Sequence, residues 1–388
     1  MKYYIIAGEA SGDLHGGDLI KGLKQADPQA EIRAWGGDRM AAHGVALVKH
    51  YKDAAVMGFV EVLRHLPKVL RNIRFCKRDI LAFRPDAVIL IDYPGFNFRI
   101  ARFAKKNGLK VFYYIAPKVW AWKERRVKRL QRDVHKLFII FPFEKAYFKR
   151  WGIDAFYAGN PLVDTVNERL KDAEPAAVFR QRNRLSGKPI IAVLPGSRRM
   201  EINYILPRVT PLAERFPDYQ FVVAGAPATD RQAYEKHLRH TAVQLVANQT
   251  CELLSHAAAA IVASGTATLE TALIGTPQIV CYGGNEISFQ IAKRLVRIKF
   301  ISLVNIIMNR EVVRELLQHD LNAANLQAGL HALLPSGNKR AAQLNDYAEL
   351  RRRLGEQGAA KRIAEEMARE VKRQAPAVGR RGRTHRRR

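Results

Sequence analysis

The chain runs to 388 residues, 48% of them hydrophobic, which suits two domains with full cores better than one. Its formal net charge of +29 asks for anionic company: nucleic acid, an anionic membrane surface or phosphorylated substrates. No apolar run approaches the roughly 18 residues of a membrane span, no signal-peptide pattern is expected, and Cys76, Cys251 and Cys281 match no metal or redox spacing and suggest a reducing compartment.

In chain order, the spacing predicts strands at Tyr3–Ala7, Glu31–Trp35, Ala87–Ile91, Lys110–Ile115 and Lys136–Phe141. A second set follows at Ile190–Leu194, Gln220–Ala224, Val243–Ala247, Ala260–Ala263 and Gln278–Tyr282. These runs are nearly continuous in branched and aromatic residues, as strands covered on both faces are, and they alternate with helix-length segments. The expectation is therefore α/β: two doubly wound, parallel-sheet domains facing a cleft. The polar stretch from Asp164 to Lys188 reads as the link between them, and a charged segment from Tyr347 to Lys372 as a surface helix. The last residues, Arg373–Arg388, hold seven arginines and no acid and read as a disordered tail. No internal repeat stands out.

Five motifs sit just past expected strands, where such sheets bind ligands. Gly8-Glu9-Ala10-Ser11-Gly12-Asp13 permits a sharp turn and close backbone approach, and Ser11, Gly12 or Asp13 could simply cap a helix. There is neither a Gly-x-Gly-x-x-Gly nor a Walker lysine. In Ile91-Asp92-Tyr93-Pro94-Gly95-Phe96-Asn97, Asp92 falls at a strand's carboxyl end, where it could take a proton from a hydroxyl or merely cap the next turn. Pro117-Lys118-Val119-Trp120-Ala121-Trp122 offers two tryptophans, a wall for sugar or acyl chain or else edge packing. The basic run after it (Lys123, Arg125, Arg126, Lys128, Arg129, Arg132) fits a solvated helix face. Leu194-Pro195-Gly196-Ser197-Arg198 joins exposed backbone N–H groups to a guanidinium fork, and Ala263-Ser264-Gly265-Thr266 opens a helix whose N-terminus can hold phosphate, with Glu270 one turn on, placed to hold ribose hydroxyls. His15, near the first motif, reads as structural. The sequence has no Asp-x-Asp and no zinc-binding pattern.

Taken together and in this order, the motifs resemble those of the lipid-A-disaccharide synthase family, inverting glycosyltransferases of the GT-B type. The likeness extends through Ala55–Leu63, Phe141–Ala146 and Ile291–Val296 and spans about residues 3–320. It implies the GT-B architecture of two Rossmann-like domains with C-terminal helices. The acceptor-side domain would occupy residues 1–165, the UDP-sugar domain 185–345, a helix 346–372 and the tail 373–388. It implies a UDP-2,3-diacylglucosamine donor, a 2,3-diacylglucosamine 1-phosphate acceptor, a β-1,6-linked product, and neither cofactor nor metal. By the same resemblance Asp92 is the candidate general base, and Glu9 and Ser11 complete the catalytic group. Arg198, Ser264, Gly265, Thr266, Glu270, Gln290 and Asn305 would bind the donor. Many relatives carry Asp-Ala-Pro-Asp-Phe-Asn where this chain has Tyr93 and Gly95, so a second acid is not required here.

With acylated substrates and no span, the enzyme is expected in the cytoplasm, peripheral to the inner membrane. The segment 57–83 mixes apolar and basic residues, among them Met57, Phe59, Val60, Leu63, Arg64, Lys68 and Arg71, as an interfacial helix does; a pair of core helices with solvated basic faces has the same composition. Each basic residue near an anionic leaflet contributes about 1 kcal/mol. No nucleic-acid module is recognisable, so no specific nucleic acid is expected, and the sequence neither fixes nor excludes a homodimer. The rival readings are another GT-B UDP-sugar enzyme, an epimerase or a cell-wall transferase, and a basic nucleic-acid-binding protein.

Overall fold

The computed structural model describes residues 1–54, 66–227, 229–284, 286, 289–290 and 298–373. Its first sheet is built from β1 (Lys2–Ala7), β2 (Glu31–Gly36), β3 (Ala46–His50), β4 (Ala87–Ile91), β5 (Lys110–Tyr114), β6 (Lys136–Ile139) and β7 (Phe156–Tyr157). The second uses β8 (Ile190–Leu194), β9 (Gln220–Gly225), β10 (Gln244–Ala247), β11 (Ala257–Ala263), β12 (Gln278–Tyr282) and β13 (Glu315–Leu317). All pairings are parallel, in the orders β3-β2-β1-β4-β5-β6-β7 and β10-β9-β8-β11-β12-β13. Each order reverses once, between β1 and β4 and between β8 and β11, leaving a crevice at the strands' carboxyl ends. β3, β7 and β13 went unseen in the sequence: β7 has two residues, β13 three, and β3 is half exposed, so none forms a continuous apolar run.

Alternation along each strand feeds a core on either face. Tyr4 and Ile6 pack one side of the first sheet, Tyr3 and Ile5 the other; Ile191 and Val193 oppose Ile190 and Ala192 in the second. A fifth cluster joins the halves, packing Phe141, Leu162 and Val166 against Leu269, Val304, Ile307 and Leu350.

The stretch expected as a polar link is instead helical, at Pro161–Lys171 and Ala176–Arg182, and Phe179 is fully buried under the second sheet. The expected single surface helix is also revised. It is two helices, Arg340–Leu354 and Ala359–Lys372, separated by left-handed Gly355 and Gly358. The second returns to the first domain and buries Ile363, Ala364, Met367 and Val371 against its core. Gly22 on the helix Ala10–Ala26 permits this approach, since a Cβ there would lie 2.8 Å from that of Ala364. Asp164 accepts the N–H groups of Gly358 (2.6 Å) and Ala359 (3.1 Å), capping the returning helix. The two interdomain crossings touch where Asn160 N–H donates to the Leu354 carbonyl at 3.0 Å.

Of the residues expected to face a membrane, Met57, Phe59, Val60, Leu63 and Arg64 lie outside the described residues. Lys68 and Arg71 belong to the helix Leu66–Phe83, which Pro67 helps to start. That helix buries Ile73, Cys76 and Ile80 in the core, yet Leu70, Arg74, Arg78 and Leu81, at helical spacing, are exposed. No described helix is long and apolar enough to cross a membrane.

Candidate active site

The motifs after β1 and β4 meet at the first sheet's switch point, because Ala7 and Ile91 are paired at the strand ends. The Tyr93 ring lies on Gly8, where a Cβ would fall inside it. Asp92 and Tyr93 are both left-handed, with φ of 41° and 47°, a strained pair for residues with side chains. Hydrogen bonds hold the pair in place. Asp92 N–H donates to the Tyr114 carbonyl (3.1 Å), and its own carbonyl accepts from Tyr113 Oη (2.7 Å) and Asn97 Nδ2 (2.8 Å).

With its backbone pinned, Asp92 has a carboxyl pushed up to about 6, first by burial and then by the charge of Glu9. Lys118 and the Tyr93 N–H act the other way. A carboxylate so placed suits proton abstraction near neutrality. Glu9 begins the helix Ala10–Ala26 and accepts a hydrogen bond from Ser11 Oγ at 2.8 Å. None of the suggested caps serves that helix. Asp13, buried, instead accepts the N–H groups of Gly37, Arg39 and Met40, at 2.6, 3.0 and 3.1 Å, and so caps the neighbouring turn. Burial holds the His15 imidazole neutral, down to about 4, edge-on to Tyr114.

Lys118 and Glu144 had no role assigned from the sequence; the motifs holding them were visible, but which carboxylates Lys118 would face was not. Trp120 Nε1 donates to Glu144 at 3.0 Å, and Glu144 also accepts the Phe141 N–H at 3.1 Å. Burial pushes Glu144 up to about 7, against these bonds and Lys118. A cavity of about 1100 Å³ opens beside them, between the domains, walled by Trp120, Trp122, Phe143, Tyr147 and Phe300, with Lys123, Arg125, Arg150 and Lys299 around it. Trp120 thus packs and lines at once, while Trp122 stays 47% exposed beneath Lys123.

At the second sheet's switch point, Arg198 follows the left-handed Gly196 and starts the helix Arg199–Val209. Its guanidinium is 79% exposed, held at 3.2 Å by Glu201 alone among the described residues. Ser264 Oγ donates to the Ile301 carbonyl (3.1 Å), and exposed Gly265 and Thr266 open the helix Thr266–Ile274 without a side-chain cap. Among the described residues the N–H groups of Thr266 and Ala267 have no partner, as an anion-binding helix start requires. Glu270 is taken by Arg169, at 3.0 Å, a partner 101 positions away that no local pattern reveals. Gln290 is exposed and bonded to Glu286 at 2.8 Å.

Asn305 is the exception among the expected donor ligands. It is fully buried: Oδ1 accepts the N–H groups of Val312 (2.7 Å) and Val313 (2.9 Å), and Nδ2 donates to the Val313 carbonyl (2.8 Å) and Glu315 (2.9 Å). An amide has two acceptor sites and two donors, so none is left for a nucleotide. Glu315 in turn holds Ile301 and Ser302, and Ile301 holds Ser264. Asn305 therefore supports the Ser264 turn from behind. Among the described residues no three His, Cys, Asp or Glu side chains gather as metal ligands would.

A family model described as "Lipid-A-disaccharide synthetase" matches residues 3–371. A lipid-A-disaccharide synthase from Myxococcus xanthus (strain DK1622) is 36% identical, across 93% of this chain and 95% of that protein. One from Anaeromyxobacter dehalogenans (strain 2CP-C) is 37% identical, across 94% and 96%. Among solved structures, the UDP-GlcNAc 2-epimerase from Neisseria meningitidis bound to UDP-GlcNAc has TM-score 0.64 and 14% identity, covering 95% of this chain and 100% of that one. The glycotransferase of kitacinnamycin gives 0.61 at 14% identity, covering 95% and 98%. At such identities the structural likeness shows the fold alone: two α/β domains in the GT-B arrangement.

Proposed function

The chain belongs to the lipid-A-disaccharide synthetase family, and from that premise we propose how its residues divide the work of a glycosyltransferase of lipid A biosynthesis that joins a UDP-sugar donor to a lipid acceptor. The donor is UDP-2,3-diacylglucosamine and the acceptor 2,3-diacylglucosamine 1-phosphate. The acceptor O6 attacks the donor's anomeric carbon opposite UDP. As that bond forms, the C1–O bond to the diphosphate breaks, its electron pair leaves on UDP, and configuration inverts. Asp92 takes the O6 proton. What carries this reading is the pairing of Asp92, pushed up to about 6, with Glu9 and Lys118 at one switch point.

Arg198 and the free N–H groups at Gly265 and Thr266 receive the charge growing on the diphosphate, the largest electrostatic demand of such a step. Ser11 and Glu9 position a sugar, and Glu270, steadied by Arg169, faces the ribose side. The aromatic cavity beside Trp120 and Trp122 suits an acyl chain, its cations a membrane surface or phosphate. The enzyme works in the cytoplasm at the inner leaflet. The exposed stripe of Leu70, Arg74, Arg78 and Leu81 supports that placing.

Purified protein given both lipids, with and without chelator, tests the reading. UDP release that needs both lipids, with a disaccharide in the mass spectrum, is expected. Release with donor alone would refute it in favour of hydrolysis, with water as the acceptor.

A further inference from the structure

A second cavity, of about 410 Å³, begins two residues past Asp92, at Pro94 and Gly95. The helix Pro94–Lys106 lends it Arg99 and Arg102, one turn apart, and the segment Glu124–Asp133 lends Arg126, Arg129 and Arg132 at the same three-residue interval. Arg132 is neutralised by a bidentate pair with Asp133, at 2.7 and 2.6 Å. Among the described residues the other four pair with no carboxylate. Arg99 donates only to the Gly95 carbonyl. Rings hold two of the forks without using their N–H groups: Arg126 lies 5.7 Å from the Trp122 centroid and Arg129 5.8 Å from that of Phe98.

Four guanidinium groups without acids repel one another. Arg126 is half-buried, and its affinity for its own proton is lowered by burial and by Arg129. A solvated helix face would spread its arginines outward. Here two helices turn theirs toward one concavity and leave it open, with nothing near the Gly95 Cα on its free side. Planar forks converging on one pocket are the arrangement that reads a phosphate dianion.

We infer that this arginine cavity binds a phosphomonoester, the one at C1 of the acceptor sugar. The assignment to the acceptor rests on the function proposed above. The acceptor carries its attacking hydroxyl on C6 and its phosphate on C1, at opposite sides of one ring, so its phosphate must sit one sugar-width from the base. The arginine cavity opens on the same loop that carries the base. Its wall starts at Pro94, two residues past Asp92, and the charge of Arg126 acts on Tyr113, whose hydroxyl donates to the Asp92 carbonyl at 2.7 Å. Phosphate binding would thereby align the acceptor and brace the loop that carries the base. The same chemistry is offered by phospholipid headgroups, which the test must separate.

The test compares acceptor with and without its 1-phosphate, in the wild type and in the double variant Arg102→Ala/Arg129→Ala, both positions being exposed and on separate helices. The wild type should prefer the phosphorylated acceptor by about 100-fold in kcat/KM, as two charge-assisted contacts allow. The variant should cut that preference to about tenfold or less, through the KM of the phosphorylated acceptor. An unchanged preference overturns the inference. So does an unchanged preference combined with lost flotation on phosphatidylglycerol vesicles, which would assign the arginines to the leaflet. A turnover-free arm uses inorganic phosphate on the wild type: protection of Arg126 and Arg129 from phenylglyoxal is expected, and its absence overturns the inference. Protection in a protein that makes no disaccharide would leave the anion site standing and remove the proposed function instead.

Discussion

The ring of Tyr93 rests on Gly8, so the loop that carries Asp92 can close only because position 8 has no side chain. Two switch-point loops, 85 positions apart in sequence, are thereby one structural unit. Gly8→Ala should push the ring away, relax the left-handed Asp92–Tyr93 pair and lower turnover more than it lowers stability, the overpacking costing about 1–3 kcal/mol. Adding Tyr93→Ala should restore stability without restoring rate. Denaturation curves set beside kcat would show it; equal recovery of both would dissolve the link.

Asp92→Asn should cost about 10²–10⁴ in turnover, the usual worth of a general base. Wild-type kcat/KM should fall below about pH 6 as Asp92 takes up its proton. The same substitution should stabilise the fold at high pH. Because the folded-state value of Asp92 is raised from 3.8 to about 6, the native state binds the proton more tightly. Stability is therefore lost as pH rises through that window, by roughly 2–3 kcal/mol at most. Asparagine carries no such cost. Its melting midpoint should exceed wild type at pH 8 and match it below pH 4, and a variant less stable at both values would contradict this.

Arg198 and Asn305 should separate cleanly. Arg198→Ala removes an exposed group with one ion pair, so stability should change by less than about 1 kcal/mol while kcat/KM for the donor falls at least tenfold. Asn305→Ala orphans the Val312 and Val313 N–H groups and should cost about 2–4 kcal/mol of stability, with activity lost only as far as the Ser264 turn loosens. Urea titrations beside steady-state kinetics decide. A large donor KM effect with normal stability in the Asn305 variant would return that residue to the nucleotide.

Leu70→Ser with Leu81→Ser exposes no core, since both side chains already face outward. The pair should weaken flotation on anionic vesicles, and raised salt should weaken it further through Arg74 and Arg78. Undiminished flotation at low salt would place the membrane contact elsewhere.

Most strands and both switch-point motif pairs were legible in the sequence, because doubly covered parallel strands are near-continuous apolar runs and the motifs follow them directly. The ligand-facing side of the first domain could be expected from Asp92 alone. What the sequence hid was partnership. Arg169 with Glu270 and Asp13 with the turn at Gly37 are contacts between segments remote in sequence, the charge of Lys118 reaches Asp92 across a similar gap, and no spacing rule records them. The amphipathic pattern of Tyr347–Lys372 was equally visible, but a pattern does not say which domain its apolar face will meet. Asn305 shows the reverse case: its segment follows the family, and only the structure shows its amide saturated by hydrogen bonds to Val312, Val313 and Glu315.

The returning helix Ala359–Lys372 has a consequence for how the protein is made. The first domain needs it to cover Ile20, Leu23 and the lower side of its sheet, and Lys136 binds Glu366 and Glu370 on it. During synthesis, therefore, the domain that leaves the ribosome first cannot finish folding until the second is almost complete. One face of the first sheet therefore stays open until nearly the whole chain has emerged, against the usual N-terminal-first completion of domains. In that interval the uncovered face of the helix Ala10–Ala26 is the surface a chaperone would have to shield.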